Sequence, residues 1–93
     1  MLFKRITISL LLLAFISCGT EIYIPKQASN NASLAQLTEG RKLYVTRCSS
    51  CHQLYKPQQF TPVIWNKNLN DMQLRAKIND EQKQLILLYL TAL

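Results

Sequence analysis

The sequence predicts an all-α domain of three to four helices. Apolar residues recur at helical spacing between residues 34 and 48. Two later positions carry helix-start patterns: Thr61 followed by Pro62, and Asn79 followed three residues later by Gln82. No alternating strand pattern follows the N-terminal apolar run, so we expect no sheet.

The first predicted helix has Ser33 as its N-cap and Cys48 at its C-terminal end. Leu37 and Tyr44 lie on its apolar face. Gly40 lies inside the helix, where glycine is less favourable than alanine by about 1 kcal/mol. A second helix that crosses closely at Gly40 would explain the missing side chain.

The second predicted helix runs from Pro62 through Leu69, with a possible extension past Met72. Trp65, Leu69 and Met72 are spaced i, i+4 and i+7, which places them on one helix face. The third helix begins after Asn79 and has two acids in its first turn. Its expected buried face consists of Ile78, Gln82, Leu85, Ile86, Tyr89 and Leu90.

The N-terminus has the layout of an export signal. The basic pair Lys4-Arg5 precedes an apolar run over residues 6–16 that is too short to span a bilayer stably. Residues 1–17 are therefore predicted to be a signal peptide of lipoprotein type. Cys18 follows in a lipobox-like sequence, and its lipidation would anchor the protein in a membrane, facing the periplasm or the cell exterior. A free, exposed Cys18 thiol is the alternative.

The next segment, residues 18–33, is polar and rich in Asn, Ser and Ala. This composition predicts a lipidated N-terminus followed by a flexible tether. Residues 34–93 then form the folded domain.

The charge argues against a nucleic-acid partner. The formal charge is +6, and without Lys4 and Arg5 nine basic and five acidic side chains leave +4. The basic residues are scattered, whereas nucleic-acid-binding proteins concentrate them in a patch or stripe. We expect this surface to steer an acidic redox partner protein.

Cys48, Cys51 and His52 form a C-x-x-C-H motif, the pattern of covalent haem attachment. Helical residues three apart share a face, so both thiols can reach the vinyl groups of one porphyrin. His52 then lies where its imidazole can bind the iron. The motif predicts one covalently attached heme c, with His52 as the proximal ligand.

Three other interpretations of the cysteine pair are weaker. A thioredoxin-like redox site requires a preceding strand, which is not predicted. A zinc site requires a second Cys/His pair, and His52 is the only histidine. A structural disulfide across two intervening residues would constrain the unfolded chain very little.

The second axial position of the iron is expected to be filled by Met72, the sole methionine outside the predicted signal. A thioether ligand raises the reduction potential of haem iron, which suits electron transfer. Alternatively, Met72 is a core residue that fills a gap. The iron would then have an open distal site.

Over residues 34–93 the chain resembles the class I c-type cytochromes. Gly40 and Tyr44 precede Cys48 by eight and four residues, as in that family's N-terminal helix. The resemblance implies a small cytochrome c fold wrapped around one covalently bound haem. It also implies that the first and last helices cross at Gly40, with Tyr44 and Tyr89 packed beside the contact.

Trp65 followed by Met72, and then Ile78 and the helix start at residues 79–81, look especially like the small haem domains of bacterial dihaem cytochromes c. That likeness implies Met72 as the distal iron ligand and Trp65 as a haem-packing residue. The segment from His52 to Met72 is shorter than in most class I members, so one haem edge is expected to be open. The single C-x-x-C-H motif predicts one haem despite the likeness.

These expectations describe a membrane-tethered one-electron carrier, not an enzyme. Its partners would be an oxidase, a reductase or another cytochrome. The first alternative is a haem sensor or peroxidase-like protein with an open distal site. The second is a docking or assembly lipoprotein in which haem is only structural.

Overall fold

The structure, a computed structural model, describes residues 21–48 and 53–93. Within these two stretches there is no β-strand. The elements are three α-helices, α1 (Leu34–Cys48), α2 (Pro62–Ala76) and α3 (Asp80–Leu90), with a 3-10 turn at Pro57–Gln59 before α2. The all-α prediction is confirmed, and the arrangement is consistent with a small cytochrome c fold.

The predicted signal peptide at residues 1–17 lies outside the described residues, and so do Cys18, Cys51 and His52. The predictions for these positions therefore stay predictions. Among the helices that are described, none combines the length and the hydropathy needed to cross a membrane.

The helices begin at side-chain caps, as the sequence predicted. The Ser33 hydroxyl accepts from the Gln36 N–H at 3.1 Å, and the Gln36 side chain accepts from the Ser33 N–H at 2.9 Å. Asn79 and Gln82 form the same reciprocal pair at 2.8 and 3.0 Å. The Thr61 hydroxyl accepts from the N–H of Ile64, the third residue of α2, at 3.4 Å. These bonds satisfy amide donors that have no partner within a helix.

Helices α1 and α3 cross at Gly40, as expected. A Cβ atom at this position would overlap the carbonyl oxygen of Leu85 and lie 2.8 Å from its carbonyl carbon. It would also lie 3.0 Å from the Cβ of Tyr89. The two backbones can approach this closely only because residue 40 has no side chain.

The core lies where α3 packs against α1 and α2. Tyr44 and Tyr89 pack beside the helix crossing with their ring centroids 6.4 Å apart, as the resemblance implied. Leu34, in the first turn of α1, is exposed. The main core cluster consists of Leu43, Tyr44, Trp65, Leu69, Ile78, Ile86, Tyr89 and Leu90.

Residues 21–33, here named the N-terminal strap, pack against α1 and α3. The Tyr23 ring stacks on Tyr89 with centroids 4.5 Å apart and planes 12° apart. The Tyr89 hydroxyl donates to the Tyr23 carbonyl at 2.7 Å, and the Tyr23 hydroxyl donates to the Tyr89 carbonyl. Arg41 Nε also donates to the Tyr23 carbonyl, at 3.1 Å. This segment was expected to be a flexible tether, whereas the structure gives it specific tertiary contacts.

The far end of the strap is a tight turn held against the C-terminus. Asn30 and Asn31 have φ of 58° and 56°, a left-handed conformation that asparagine tolerates better than most residues. The turn closes a β-bridge between Ser29 and Ala32. Ser29 Oγ donates to the carbonyl of Ala92 at 3.0 Å. The strap is therefore bound to the end of the chain as well as to the helix crossing.

Candidate cofactor site

A cleft of about 450 Å³ opens beside the C-terminal end of α1, between α2 and the loop that precedes it. Its walls are mainly apolar and aromatic. The lining residues are Tyr44, Cys48, Gln53, Leu54, Tyr55, Phe60, Ile64, Trp65, Asn68, Leu69, Asp71 and Met72. Cys48 and Gln53, the described residues on either side of the rest of the C-x-x-C-H motif, both line this cleft.

Cys48 is the last residue of α1 and is half-buried at the cleft. Burial raises the pKa of its thiol, because the thiolate loses solvation there. Cys48 is thus a mostly protonated sulfur at neutral pH, placed where a cofactor in the cleft could be linked to it.

Helix α2 supplies the opposite wall. Ile64, Asn68 and Met72 follow one another at i, i+4 and i+8, and Trp65 and Leu69 lie beside them. Met72 is 39% exposed, so its thioether is accessible from the cleft. The structure thereby brings together Cys48, Trp65 and Met72, three residues that the sequence had proposed for one site.

The loop at residues 53–60 forms the third wall. The Tyr44 hydroxyl donates to the carbonyl of Tyr55 at 2.7 Å, and Trp65 Nε1 donates to the carbonyl of Pro57 at 2.8 Å. Phe60 packs edge-on against Trp65 and Tyr55, with centroid distances of 5.0 and 5.2 Å. Tyr44 and Trp65 also meet edge to face, at 6.0 Å.

Sequence reasoning missed part of this lining. Ile64 and Asn68 could have been predicted from the sequence. They lie eight and four residues before Met72, a spacing that places all three on the same helix face. Tyr55 and Phe60 lie in a loop, where no periodicity indicates which way a side chain faces.

The described residues fit a flat, apolar macrocycle with an iron centre. Aromatic rings and aliphatic side chains make up most of the cleft, which is the lining expected for a cofactor site. Cys48 would offer a sulfur for covalent attachment, and Met72 would offer a soft thioether donor for iron. Asn68 and Asp71 place polar groups within the α2 wall.

Comparison with known proteins identifies the family. A family model described as dihaem cytochrome c matches residues 44–93, which include the whole C-x-x-C-H motif and all three walls of the cleft. No curated protein and no solved structure matched the chain. The match covers more than half of the 93 residues, and it indicates a haem-binding electron carrier. The chain belongs to the dihaem cytochrome c family.

Proposed function

We propose that this protein is an extracytoplasmic one-electron carrier with a single haem in the cleft. Cys48 and Cys51 attach the haem, His52 is the proximal iron ligand and Met72 is the distal ligand. The observation that carries the proposal is that Cys48, the first residue of the C-x-x-C-H motif, lines the same cleft as Trp65 and Met72.

The number of haems follows from the number of motifs. The family description refers to two haems, whereas this chain has one C-x-x-C-H motif and one histidine. Each covalently bound haem of this type requires its own cysteine pair and proximal histidine. One haem per chain is therefore the proposed stoichiometry.

Bound haem supplies the one-electron redox couple of its iron. The chain's own residues determine the surroundings of that iron. Trp65 and Leu69 are both buried and exclude water from the α2 wall. Met72 contributes a weak, soft donor that favours the ferrous state and raises the potential. Its partial exposure leaves one side of the cleft accessible to a redox partner.

The proposed location is a membrane surface outside the cytoplasm. The predicted export signal at residues 1–17 and the lipobox-like sequence at Cys18 support it. The proposed partners are an oxidase, a reductase or another cytochrome. The net positive charge of this chain favours a partner whose docking surface is acidic.

The optical spectrum of the ferric protein tests the ligand set. Wild-type protein should show the weak charge-transfer band of methionine-ligated iron, and its ferrous form should not bind carbon monoxide. Met72→Ala should abolish the band and allow carbon monoxide to bind, because it removes the thioether. Leu74→Ala is the control: Leu74 is 91% exposed on α2 and does not line the cleft, so the spectrum should be unchanged.

The same spectrum distinguishes the alternative. Rapid carbon monoxide binding by the wild-type ferrous protein, with turnover of peroxide, would favour a sensor or peroxidase-like function with an open distal site. The exposure of Met72 is the observation that makes this alternative worth testing.

A further inference from the structure

A second cavity, of about 400 Å³, lies where the N-terminal strap meets the end of the chain. Ile24, Pro25 and Lys26 of the strap line it together with Leu37 of α1 and Leu93. Leu37 is buried, whereas Ile24 and Leu93 are 65% and 73% exposed. Two large aliphatic side chains from distant parts of the sequence are therefore presented to the surface at one cavity.

Contacts of the neighbouring residues hold these two side chains close together. Tyr23, directly before Ile24, stacks on Tyr89 and exchanges hydrogen bonds with it. Ser29 donates to the carbonyl of Ala92, the residue before Leu93, at 3.0 Å. The patch of Ile24, Lys26 and Leu93, here named the end patch, is therefore part of the folded domain.

The end patch has the chemistry of a surface that contacts lipid. Proteins that lie on a membrane bury aliphatic side chains at the boundary between headgroups and acyl chains. Lys26 can lay its aliphatic stem along such a boundary while its ammonium stays at the level of anionic headgroups. None of the described residues that line the cavity has an acidic side chain, so no side-chain carboxylate would repel those headgroups.

The predicted lipid is attached close to the end patch. Cys18 is three residues before Glu21, so their Cα atoms can be no more than about 11 Å apart. Two residues after Glu21, Tyr23 binds the strap to α3. A lipid on Cys18 would therefore hold the folded domain near the bilayer without a long tether.

We propose that the end patch is a membrane-contact surface that lies against the bilayer in which Cys18 is anchored. The proposal rests on the lipidation of Cys18 in the proposed function. It adds a second contact with the membrane and, with two contacts, a defined orientation of the domain.

The proposed orientation keeps the cofactor cleft away from the bilayer. Leu37, which lines the end cavity, and Cys48, which lines the cleft, are eleven residues apart on α1. This spacing corresponds to about 16 Å along the helix. The cleft at the far end of α1 would stay open to a redox partner.

The test uses the haem-loaded, lipidated protein in vesicles of phosphatidylethanolamine and phosphatidylglycerol. A nitroxide label is attached in turn to Ile24→Cys, Leu93→Cys and Val63→Cys. Val63 is the matched control, because it is an aliphatic residue 77% exposed on α2 and does not line the end cavity. EPR measures how often each label collides with oxygen, which concentrates in the bilayer, and with a nickel complex, which stays in water.

The native cysteines are not expected to take up the label. Cys18 would carry lipid, and Cys48 and Cys51 would be linked to haem. Wild-type protein treated with the label checks this, and its intact mass shows whether lipid and haem are attached.

The ratio of oxygen to nickel collisions should be several-fold higher at residues 24 and 93 than at residue 63. Leu93 is the decisive site, since it lies 75 residues after Cys18 and only the fold brings it near the anchor.

Equal ratios at residues 93 and 63 in lipidated protein would overturn the membrane-contact surface and leave the anchor in place. Low collision rates at residue 93 with both reagents would also overturn it, because protein, such as a second copy of this chain, would then cover the patch. A wild-type mass without added lipid would instead overturn the anchor of the proposed function, and the membrane-contact surface with it.

Discussion

The two sides of α1 differ in how their packing is completed. One side, here called the closed side, is formed by α1, α3 and the N-terminal strap, and its space is filled by protein side chains and backbone. Gly40 allows α1 and α3 to pack in contact, and the Tyr23 ring stacks on Tyr89. The open side, formed by α1, α2 and the 53–60 loop, leaves a cleft of about 450 Å³ walled by aromatic residues. The difference indicates that the closed side specifies the fold, while the open side is shaped for a cofactor.

The largest expected effect comes from Gly40→Ala on the closed side. The added Cβ would overlap the Leu85 carbonyl oxygen, which belongs to the backbone of α3 and cannot move away without moving that helix. We expect a loss of about 3 kcal/mol in the free energy of unfolding of the haem-loaded protein, measured with denaturant. Glu39→Ala, at the exposed adjacent position, should change stability by less than about 0.5 kcal/mol. Equal stability of the two variants would mean that the helices do not cross at Gly40.

The next effect tests whether the strap belongs to the closed side. Tyr23→Ala removes the stacked ring and its hydroxyl donor, and should lower the free energy of unfolding by about 2 kcal/mol. Ile24→Ala, next to it but 65% exposed, should have little effect. If the two variants unfold at the same denaturant concentration, the strap is a tether after all.

A smaller effect appears at alkaline pH. Burial raises the pKa of Tyr89 to about 12 and also raises the pKa of Tyr23. Above pH 10 an unfolded tyrosine loses its proton while the buried one keeps it, so stability is full below pH 10 and falls as the pH rises toward 12. The decline should be steepest between pH 10 and pH 12, where only the folded state still holds the Tyr89 proton. Tyr89→Phe should show a shallower decline, and an identical pH profile would contradict the assignment.

The sequence predicted the features that depend on local chemistry. The caps at Ser33 and Asn79 could be recognised because a cap is made by residues three apart. The crossing at Gly40 was also predictable. Glycine lowers helix stability, so a glycine inside a helix indicates a position where another element packs closely.

The features that escaped prediction depend on distant residues. The strap is held by Tyr23 and Ser29, whose partners lie 63 to 66 residues away at the end of the chain. No local pattern indicates such contacts, and the polar composition pointed to a tether. The loop bond from Tyr44 to Tyr55 spans 11 residues and joins a helix to a segment without periodicity. Local propensity cannot predict such a bond, because tertiary packing decides it.

The most direct test of the central claim is the mass of the purified, exported protein under denaturing conditions. We expect a polypeptide that carries the mass of one haem, retained after unfolding because two thioether bonds would hold it to Cys48 and Cys51. A polypeptide without added haem, or one that carries two, would contradict it.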